Sequence, residues 1–272
     1  MAPLSTSAGR VALQKLAPLD PRRGSRVTED VNIFLCRPES VVDHGLLADY
    51  ERLLDREERV RFSNFRLRRD AHAFLVAHAL VRAALSHVFG VAPEDWRFRT
   101  DRSGRPEVEG SDCTASFSLS HCEGLIAAVV VADRSCGIDV EEIRPIDDAI
   151  ALADGLFARS EAVQMRALPE DRLLDRFYSL WTLKEAYMKA CGLGLALPLD
   201  FVSFEWEDHR ILASFRDGAT EASRQWTFAL QRPTPSHVLA TALAGAPTEP
   251  PLKVVVQWLV PLLEVRGVAV SR

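Results

Sequence analysis

The chain has 272 residues, of which 47% are apolar, enough for a sizeable core in one large domain or two smaller ones. Its formal net charge is −5 and its arginines are scattered, which argues against a nucleic-acid-binding protein. The five cysteines are odd in number and show no CxxC spacing, and no histidine pair has zinc-ligand spacing. We therefore expect neither a disulfide scaffold nor a zinc site.

The first residues of the chain predict an irregular leader. Residues 1–29 are rich in Pro, Arg, Ser and Ala and lack the continuous apolar run of a signal peptide. The most apolar runs that follow, Gly124–Ala132 and Val254–Leu263, are too short to span a bilayer. We therefore expect a cytoplasmic protein that does not bind membranes.

The next hundred residues predict strands around two helices. Apolar spacing, turn residues and the helix-ending Gly90 indicate helices at Leu46–Phe62 and Arg69–Phe89. A polar turn that presents Ser120 and His121 separates two strands and predicts a hairpin. The strands are predicted at Val31–Cys36, Asp95–Thr100, Ala115–Ser120 and Leu125–Ala132.

The rest of the chain predicts a strand, then helices, then further strands. The helices are predicted at Ile146–Leu156, Ser160–Arg166 and Asp171–Cys191, and the strands at Cys136–Ile143, Phe201–Trp206, Ile211–Phe215, Gln225–Leu230, His237–Ala244 and Val254–Val260. Because strands and helices do not alternate regularly, an α+β fold is favoured over a parallel sheet. The predicted divisions are the leader, an N-terminal half (30–133), a C-terminal half (134–247) and an extension (248–272).

Two acidic residues on the Cys136–Ile143 strand form the first candidate site. Asp139 and Glu141 are two residues apart, so their carboxylates project from one face, about 7 Å apart along the strand. Such a pair can hold a hard cation, and Mg²⁺ sites often use one or two carboxylates with substrate phosphate. The alternative is a half-buried strand with a solvated acidic face, which a lone D-x-E pattern favours.

The helix at 176–189 carries the second candidate site. Trp181, Glu185 and Lys189 follow one another at intervals of four residues and therefore lie on one stripe. Taken alone, the stripe favours an ordinary amphipathic helix with a surface ion pair between Glu185 and Lys189. Only a partner carboxylate cluster elsewhere in the chain would make it a site.

Polar residues before these two sites suit a phosphate ligand. Ser120 and His121 can donate hydrogen bonds to a phosphate, and Arg61 and Arg105 offer the planar donor fork of arginine. Each residue has an equally ordinary explanation as a loop or surface residue. A serine hydrolase is set aside because the chain has no G-x-S-x-G elbow and adjacent Ser and His cannot form the required hydrogen bond.

The order of these pieces resembles the 4′-phosphopantetheinyl transferase superfamily. The resemblance covers about residues 55–204. The length of the chain, and the presence of both halves in it, resemble the monomeric Sfp-type branch. The resemblance implies an α+β fold of two similar subdomains related by a pseudo-twofold axis, each a small, mostly antiparallel sheet packed on a long helix. The motifs that carry the resemblance are Gly104-Arg105-Pro106, Phe117–His121, Gly137–Glu141 and Trp181–Lys189.

The resemblance also implies a reaction. The phosphopantetheine arm of coenzyme A would be transferred to a serine of an apo acyl or peptidyl carrier protein, releasing 3′,5′-ADP. Asp139, Glu141 and Glu185 would converge on Mg²⁺, with Mn²⁺ as the other candidate, and Glu185 would be the general base. Glu141, acting through a metal-bound water, is the rival base, and Lys189 would neutralise phosphate and assist the leaving group.

The remaining roles follow from position in the motifs. The phosphates or the pantetheine arm of coenzyme A would be bound by Ser120, His121, Asp139, Lys184 and Lys189. Arg105 and Pro106 would line the nucleotide site, and Arg61 would bind the 3′-phosphate. Trp181 is expected to be a packing residue. Glu58 stands where some members carry a basic residue, which leaves the 3′-phosphate contacts open.

The carrier protein is expected to present an acidic helical surface. Its predicted dock is Asp147–Arg166, where Leu156, Phe157 and Met165 would supply apolar contacts around Arg159 and Arg166. A monomer that binds no nucleic acid is expected. The alternatives are a Mg²⁺-dependent phosphoesterase or nucleotide hydrolase, with water as acceptor, and a non-catalytic module that binds coenzyme A or a carrier.

Overall fold

A computed structural model describes residues 30–101, 104–110, 114–193, 197–207, 210–216, 226–245 and 252–263. The α-helices in these ranges are α1 (His44–Leu53), α2 (Arg56–Ser63), α3 (Arg68–Phe89), α4 (Ala149–Leu156), α5 (Arg159–Arg166) and α6 (Glu170–Cys191). The strands are β1 (Val31–Cys36), β2 (Phe98–Thr100), β3 (Pro106–Val108), β4 (Ala115–Cys122), β5 (Leu125–Ala132), β6 (Cys136–Glu142), β7 (Val202–Glu207), β8 (Arg210–Phe215), β9 (Trp226–Thr234), β10 (His237–Ala244) and β11 (Val254–Trp258).

The N-terminal half is a four-stranded sheet packed on the long helix α3. The strand order is β11-β1-β5-β4, with β11 parallel to β1 and the other pairs antiparallel. Every residue of β1 is buried, because alternate side chains reach cores on the two faces of the sheet. The core on one face joins the sheet to α1 and α3.

The C-terminal half repeats these components. An antiparallel sheet of order β6-β10-β9 packs on α6, which has 22 residues like α3. Both long helices end at a glycine in the left-handed conformation, Gly90 and Gly192. Helices α4 and α5 and the β7–β8 hairpin complete this half and share its core with α6.

The two sheets meet at β4 and β6, the edge strands that face each other. Serine side chains bridge this seam: the Ser118 hydroxyl accepts a hydrogen bond of 3.2 Å from the backbone N–H of Ile138. An apolar cluster from β1, β5, β6 and β10 packs behind it. The α+β prediction is therefore confirmed, with a sheet and a long helix in each half.

Two local predictions differ from the structure. The helix predicted at Leu46–Phe62 is two helices, because α1 ends at Leu53 and Asp55 begins α2 as its N-cap, with Glu58 completing a capping box. His121 lies within β4 rather than in a turn, since only Glu123 and Gly124 form the connection to β5. Gly124 has a φ of 75°, which a two-residue hairpin turn favours.

The C-terminal extension belongs structurally to the first half. Strand β11 pairs with β1, and the Tyr50 hydroxyl donates a 2.5 Å hydrogen bond to the carbonyl of Pro261. The predicted divisions of the chain stay predictions. Within the described part of the chain, α3 is long and apolar enough to cross a membrane, and 61% of its most apolar window is buried in the protein.

Candidate active site

Three polar side chains meet where β4, β6 and α6 come together. The Ser120 hydroxyl donates a 2.8 Å hydrogen bond to Asp139 Oδ1. Lys189 Nζ lies 2.7 Å from the same oxygen and 2.8 Å from Ser120 Oγ. Ser120 and Asp139 are buried, whereas the Lys189 side chain is 31% exposed. The structure thus joins residues from both halves into one cluster, in which only the Lys189 side chain contacts solvent to a substantial extent.

Close packing of β6 on α6 brings this cluster together. Gly137 lies directly against the helix backbone: a Cβ atom there would clash with the carbonyl oxygen of Ala186 and lie 2.5 Å from the nitrogen of Ala190. Arg105 ties the same two elements, because its guanidinium donates to the carbonyls of Ala190 (3.0 Å) and Cys136 (3.1 Å). Arg105 therefore holds the frame of the site, and its predicted nucleotide contact stays a prediction.

Two further carboxyl groups stand beside Asp139. Burial, and then the charges of Asp139 and Glu185, raise the pKa of Glu141 to about 7, although Trp181 and Lys189 oppose the shift. Burial, and then the charge of Asp139, also raise the pKa of Glu185. Glu141 and Glu185 are therefore close enough to Asp139 for the charges to interact, and the three carboxyl groups border one space between β6 and α6. Glu185 lies one turn of α6 before Lys189.

The donor chemistry of this space fits Mg²⁺, but the side chains are not gathered around one point. Asp139 Oδ2 is buried and has no hydrogen-bond partner, and Glu141 and Glu185 add hard oxygen donors. Within the described ranges no group of three carboxylate, histidine or cysteine side chains is close enough to hold a metal ion. In these side-chain positions Lys189 binds Asp139 Oδ1 and Trp181 binds Glu141 Oε1. That all three carboxylates share one coordination shell therefore stays a prediction.

His121 follows Ser120 on β4, so its side chain projects from the opposite face of the strand. Its side chain is exposed, next to Ser120 on β4 and opposite Ile126 of β5. Burial of part of the ring, and then the charge of Lys189, lower its pKa, with a smaller opposing effect from Asp70 on α3. A neutral His121 can donate one hydrogen bond to a ligand that approaches between β4 and α3.

The other predicted nucleotide contacts lie on the surface of the N-terminal half. Arg61, in the last turn of α2, is exposed and has its guanidinium 5.4 Å from the ring centre of Phe74 on α3. Pro106 is exposed at the start of β3. The structure gives no contact between either residue and the Ser120–Asp139–Lys189 cluster among the described residues, so their roles stay predictions.

Lys184 does not take part in the site, and its predicted role must be corrected. The side chain is fully buried, and its ammonium forms an ion pair of 2.8 Å with Glu161. It also donates to the carbonyls of Leu199 (2.9 Å) and Val202. Because these three acceptors use all three protons of the ammonium, none remains for a phosphate or the pantetheine arm.

Glu58 is a structural residue rather than a lost phosphate contact. Arg82 donates to both of its carboxylate oxygens, at 3.2 and 2.7 Å, and His78 Nδ1 lies 2.7 Å from Oε1. Although burial alone would raise it, these hydrogen bonds and charges lower the pKa of Glu58 to about 2. The Asp55-x-x-Glu58 spacing of a capping box is visible in the sequence and indicates this structural role.

One contact in the site was not expected from the sequence. Trp181 was predicted to pack, and it does stack on Phe177, but its indole N–H also donates a 3.2 Å hydrogen bond to Glu141. Trp181 therefore orients one of the carboxylates. Two cavities of about 290 and 700 Å³ lie elsewhere, beside α5 and beside α2.

Two related protein-family models match most of the chain. Residues 135–242 match the 4′-phosphopantetheinyl transferase superfamily, and residues 46–134 match the N-terminal region of 4′-phosphopantetheinyl transferases. The boundary between the two matches falls between β5 and β6.

Individual proteins extend this similarity. The chain is 31% identical to 4′-phosphopantetheinyl transferase Sfp of Bacillus subtilis over 171 residues, which cover 63% of this chain and 73% of that protein. It is 29% identical to 4′-phosphopantetheinyl transferase HetI of a Nostoc species over 230 residues, 82% of this chain and 92% of that protein. A solved holo-(acyl-carrier-protein) synthase of Bacillus anthracis in complex with CoA (3′,5′-ADP) is 18% identical, with a TM-score of 0.34, over 41% of this chain and 96% of that one.

Proposed function

We propose that the cluster at β6 and α6 is the active site of this chain, which belongs to the 4′-phosphopantetheinyl transferase superfamily. The chain transfers the phosphopantetheine arm of coenzyme A to a serine of a carrier protein, with release of 3′,5′-ADP. The observation that carries the assignment of the site is the meeting of Ser120, Asp139 and Lys189 across the seam between the halves. Glu141 and Glu185 border the same space.

Glu185 is the general base of the proposed mechanism. It removes the proton from the carrier serine, whose oxygen then attacks the β-phosphorus of coenzyme A and forms the new phosphoester bond. A raised pKa makes the Glu185 carboxylate a stronger base near neutral pH than an ordinary glutamate. Glu141, with a pKa of about 7, is the rival base.

Lys189 stabilises the leaving group. The bond to the 3′,5′-ADP oxygen breaks, and the ammonium of Lys189 neutralises the charge that develops there. Two of its three protons bind Asp139 and Ser120, so the third can be donated to a phosphate without moving the side chain. The Ser120 hydroxyl binds Asp139 and orients it, so Ser120 is not a nucleophile here.

A divalent cation is the proposed cofactor. Asp139, Glu141 and Glu185 would hold Mg²⁺ or Mn²⁺, which supplies neutralisation of the pyrophosphate charge. The unpartnered Asp139 Oδ2 and the raised pKa of Glu141 support this proposal. A nearby cation would give Oδ2 a partner and would lower the pKa of Glu141. His121, Arg105, Pro106 and Arg61 would bind the remainder of coenzyme A along the N-terminal half.

The proposed dock for the carrier is the exposed face of α4 and α5. Arg159 and Arg166 are exposed there and suit an acidic helical surface. The apolar contacts must differ from those expected, because Phe157 and Met165 are buried in the core. Leu152 (43% exposed) and Val163 (54% exposed) present apolar surface instead. We further propose a cytoplasmic monomer.

A mass-shift experiment tests the function. The protein is incubated with coenzyme A, MgCl₂ and a panel of apo acyl and peptidyl carrier proteins, and carrier masses are recorded with and without EDTA. A gain of one phosphopantetheine on a carrier, abolished by EDTA, is expected. Loss of coenzyme A without a mass gain would favour the hydrolase alternative, and binding of coenzyme A without either would favour the non-catalytic module.

A further inference from the structure

A buried ion pair connects α5, α6 and β7 next to the active site. Lys184 of α6 and Glu161 of α5 lie 2.8 Å apart, and their side chains are 0% and 1% exposed. The rings of Phe157 and Phe204 cover the ammonium at 5.3 and 5.7 Å. Neither charged residue reaches the Ser120–Asp139–Lys189 cluster, so the mechanism does not use the pair directly.

The pair is the centre of a polar network in which each charged group has its partners. Lys184 also binds two carbonyls of the segment that leads into β7, as described above. Glu161 accepts from the backbone N–H of Phe204 in β7 (2.8 Å) and of Ala158 at the start of α5 (3.0 Å). One carboxylate and one ammonium thereby fix three elements relative to one another.

Such a pair needs an explanation other than stability. Desolvation of two charges costs about as much as their attraction returns, so apolar residues of similar volume would serve the core equally well. A fully bonded buried pair keeps all of its hydrogen bonds, however, only while the elements that carry it hold one arrangement. Here those elements are the helix that carries Glu185 and the helix of the proposed carrier dock, and Lys184 is the residue immediately before Glu185.

We propose that Glu161 and Lys184 are positioning residues that set the rotation and depth of α6 against α5 and so hold Glu185 in line with the serine of a docked carrier. This inference rests on the proposed function. Lys184 fixes one side of α6, and Glu185 emerges from the next position, so a small rotation of the helix moves the base. A misplacement of about 1 Å at a reacting group is enough to lower a rate by about 100-fold.

Three variants test the proposal: Lys184→Met, Glu161→Gln and the double variant Lys184→Met/Glu161→Gln. The double variant leaves no buried charge, and the Gln amide oxygen can still accept from Phe204 N–H, so it retains the fold if a single variant does not. Arg172→Met is the matched control, since Arg172 is an exposed basic residue of the same helix. Fold is checked by circular dichroism and thermal melting.

The expected result is a kcat lowered by about 10- to 100-fold in all three variants, with the KM for coenzyme A unchanged. The control is expected to match the wild type. Amide hydrogen exchange without substrate should show faster exchange at Phe204, Ala158 and the α6 turn around Glu185. This second readout needs no activity, so it still judges the network if no carrier is modified and the proposed function fails.

Two outcomes overturn the inference. A raised KM for coenzyme A at unchanged kcat would mean that Lys184 contacts the substrate. Folded variants with lowered melting temperature but wild-type kcat and wild-type exchange around Glu185 would make the pair a stability element alone.

Discussion

One carboxylate oxygen organises the active cluster at the scale of single residues. Asp139 Oδ1 accepts hydrogen bonds from both Ser120 and Lys189, while Oδ2 has no partner. The first oxygen therefore anchors the protein side chains and the second remains available to a cation. This division would allow one aspartate both to fix Lys189 and to hold the proposed metal ion.

Replacement of the proposed base tests the assignment of Glu185. In Glu185→Gln the amide cannot take a proton, so we expect kcat to fall about 10²- to 10⁴-fold with the fold intact. Carrier mass gain over time gives the rate. Glu142→Gln is the control, because Glu142 lies on β6 beside Glu141 but pairs with Arg144 at the surface. Wild-type rates in Glu185→Gln would transfer the role of base to Glu141.

The buried Glu58 gives a stability prediction with a defined pH range. Its pKa is about 2 in the folded protein and about 4.3 in an unfolded chain, so the folded state binds the proton less tightly. The stabilisation is complete above pH 4.3 and is lost as pH falls towards 2. We therefore expect Glu58→Gln to lower the free energy of unfolding by about 3 kcal/mol at pH 7.

Urea unfolding at pH 7, 5 and 3.5 measures this effect. The difference between wild type and Glu58→Gln should be constant from pH 7 to 5 and smaller at pH 3.5. Glu57→Gln, an exposed residue of the same helix, should lie close to the wild type at every pH. A difference that grows as pH falls would contradict the lowered pKa.

Elements with strong local patterns were predicted well from the sequence. The two long helices were predicted within one residue, at Arg69–Phe89 and Asp171–Cys191, because apolar spacing and a final glycine define each locally. The orientation of Lys184 was not predictable, since it depends on Glu161 and on carbonyls 15 and 18 residues further along the chain. Motif spacing places residues near a site, whereas packing decides which way they point.

Close packing between β6 and α6 gives a prediction at the scale of elements. In Gly137→Ala the new methyl group meets the backbone of α6 at Ala186 and Ala190, so the strand and the helix must separate. Overpacking of this kind costs about 1–3 kcal/mol, and it also separates Asp139 from Lys189. We expect a lower melting temperature and a kcat reduced at least about tenfold.

Gly155→Ala is the matched control for this packing effect. Gly155 lies within α4, and a Cβ atom there meets nothing within 4 Å. Because alanine favours a helix interior over glycine, the control should keep or raise its melting temperature, with a gain of up to about 1 kcal/mol of stability. Equal losses in both variants would exclude a specific role for the contact between β6 and α6.

At the scale of the whole molecule, the proposed site is formed by residues of both halves. In the proposed function, Arg61, His121 and Pro106 of the N-terminal half would contact coenzyme A. The C-terminal half would supply the carboxylates and the carrier dock. Ser120 of β4 and Arg105 before β3 reach across to the second half. Neither half therefore contains a complete site.

Charge reversal tests the proposed carrier dock. Arg159→Glu and Arg166→Glu should each raise the KM for an acidic carrier about tenfold and leave the KM for coenzyme A unchanged. The wild-type KM for the carrier should rise with NaCl, and less steeply in the variants. Arg99→Glu, an exposed arginine in the first half, is the control. An unchanged carrier KM in both variants would place the dock elsewhere.

The parallel pairing of β1 with β11 affects how the chain acquires its structure. Val31 pairs with Val254, so the sheet of the first half closes only after the chain has been synthesised as far as β11. Until then a nascent chain exposes one edge of the apolar strand β1. Pairing over such a separation also slows folding, because the loop must close before its contacts form. We therefore expect the C-terminal half to fold first and the N-terminal sheet to be completed last.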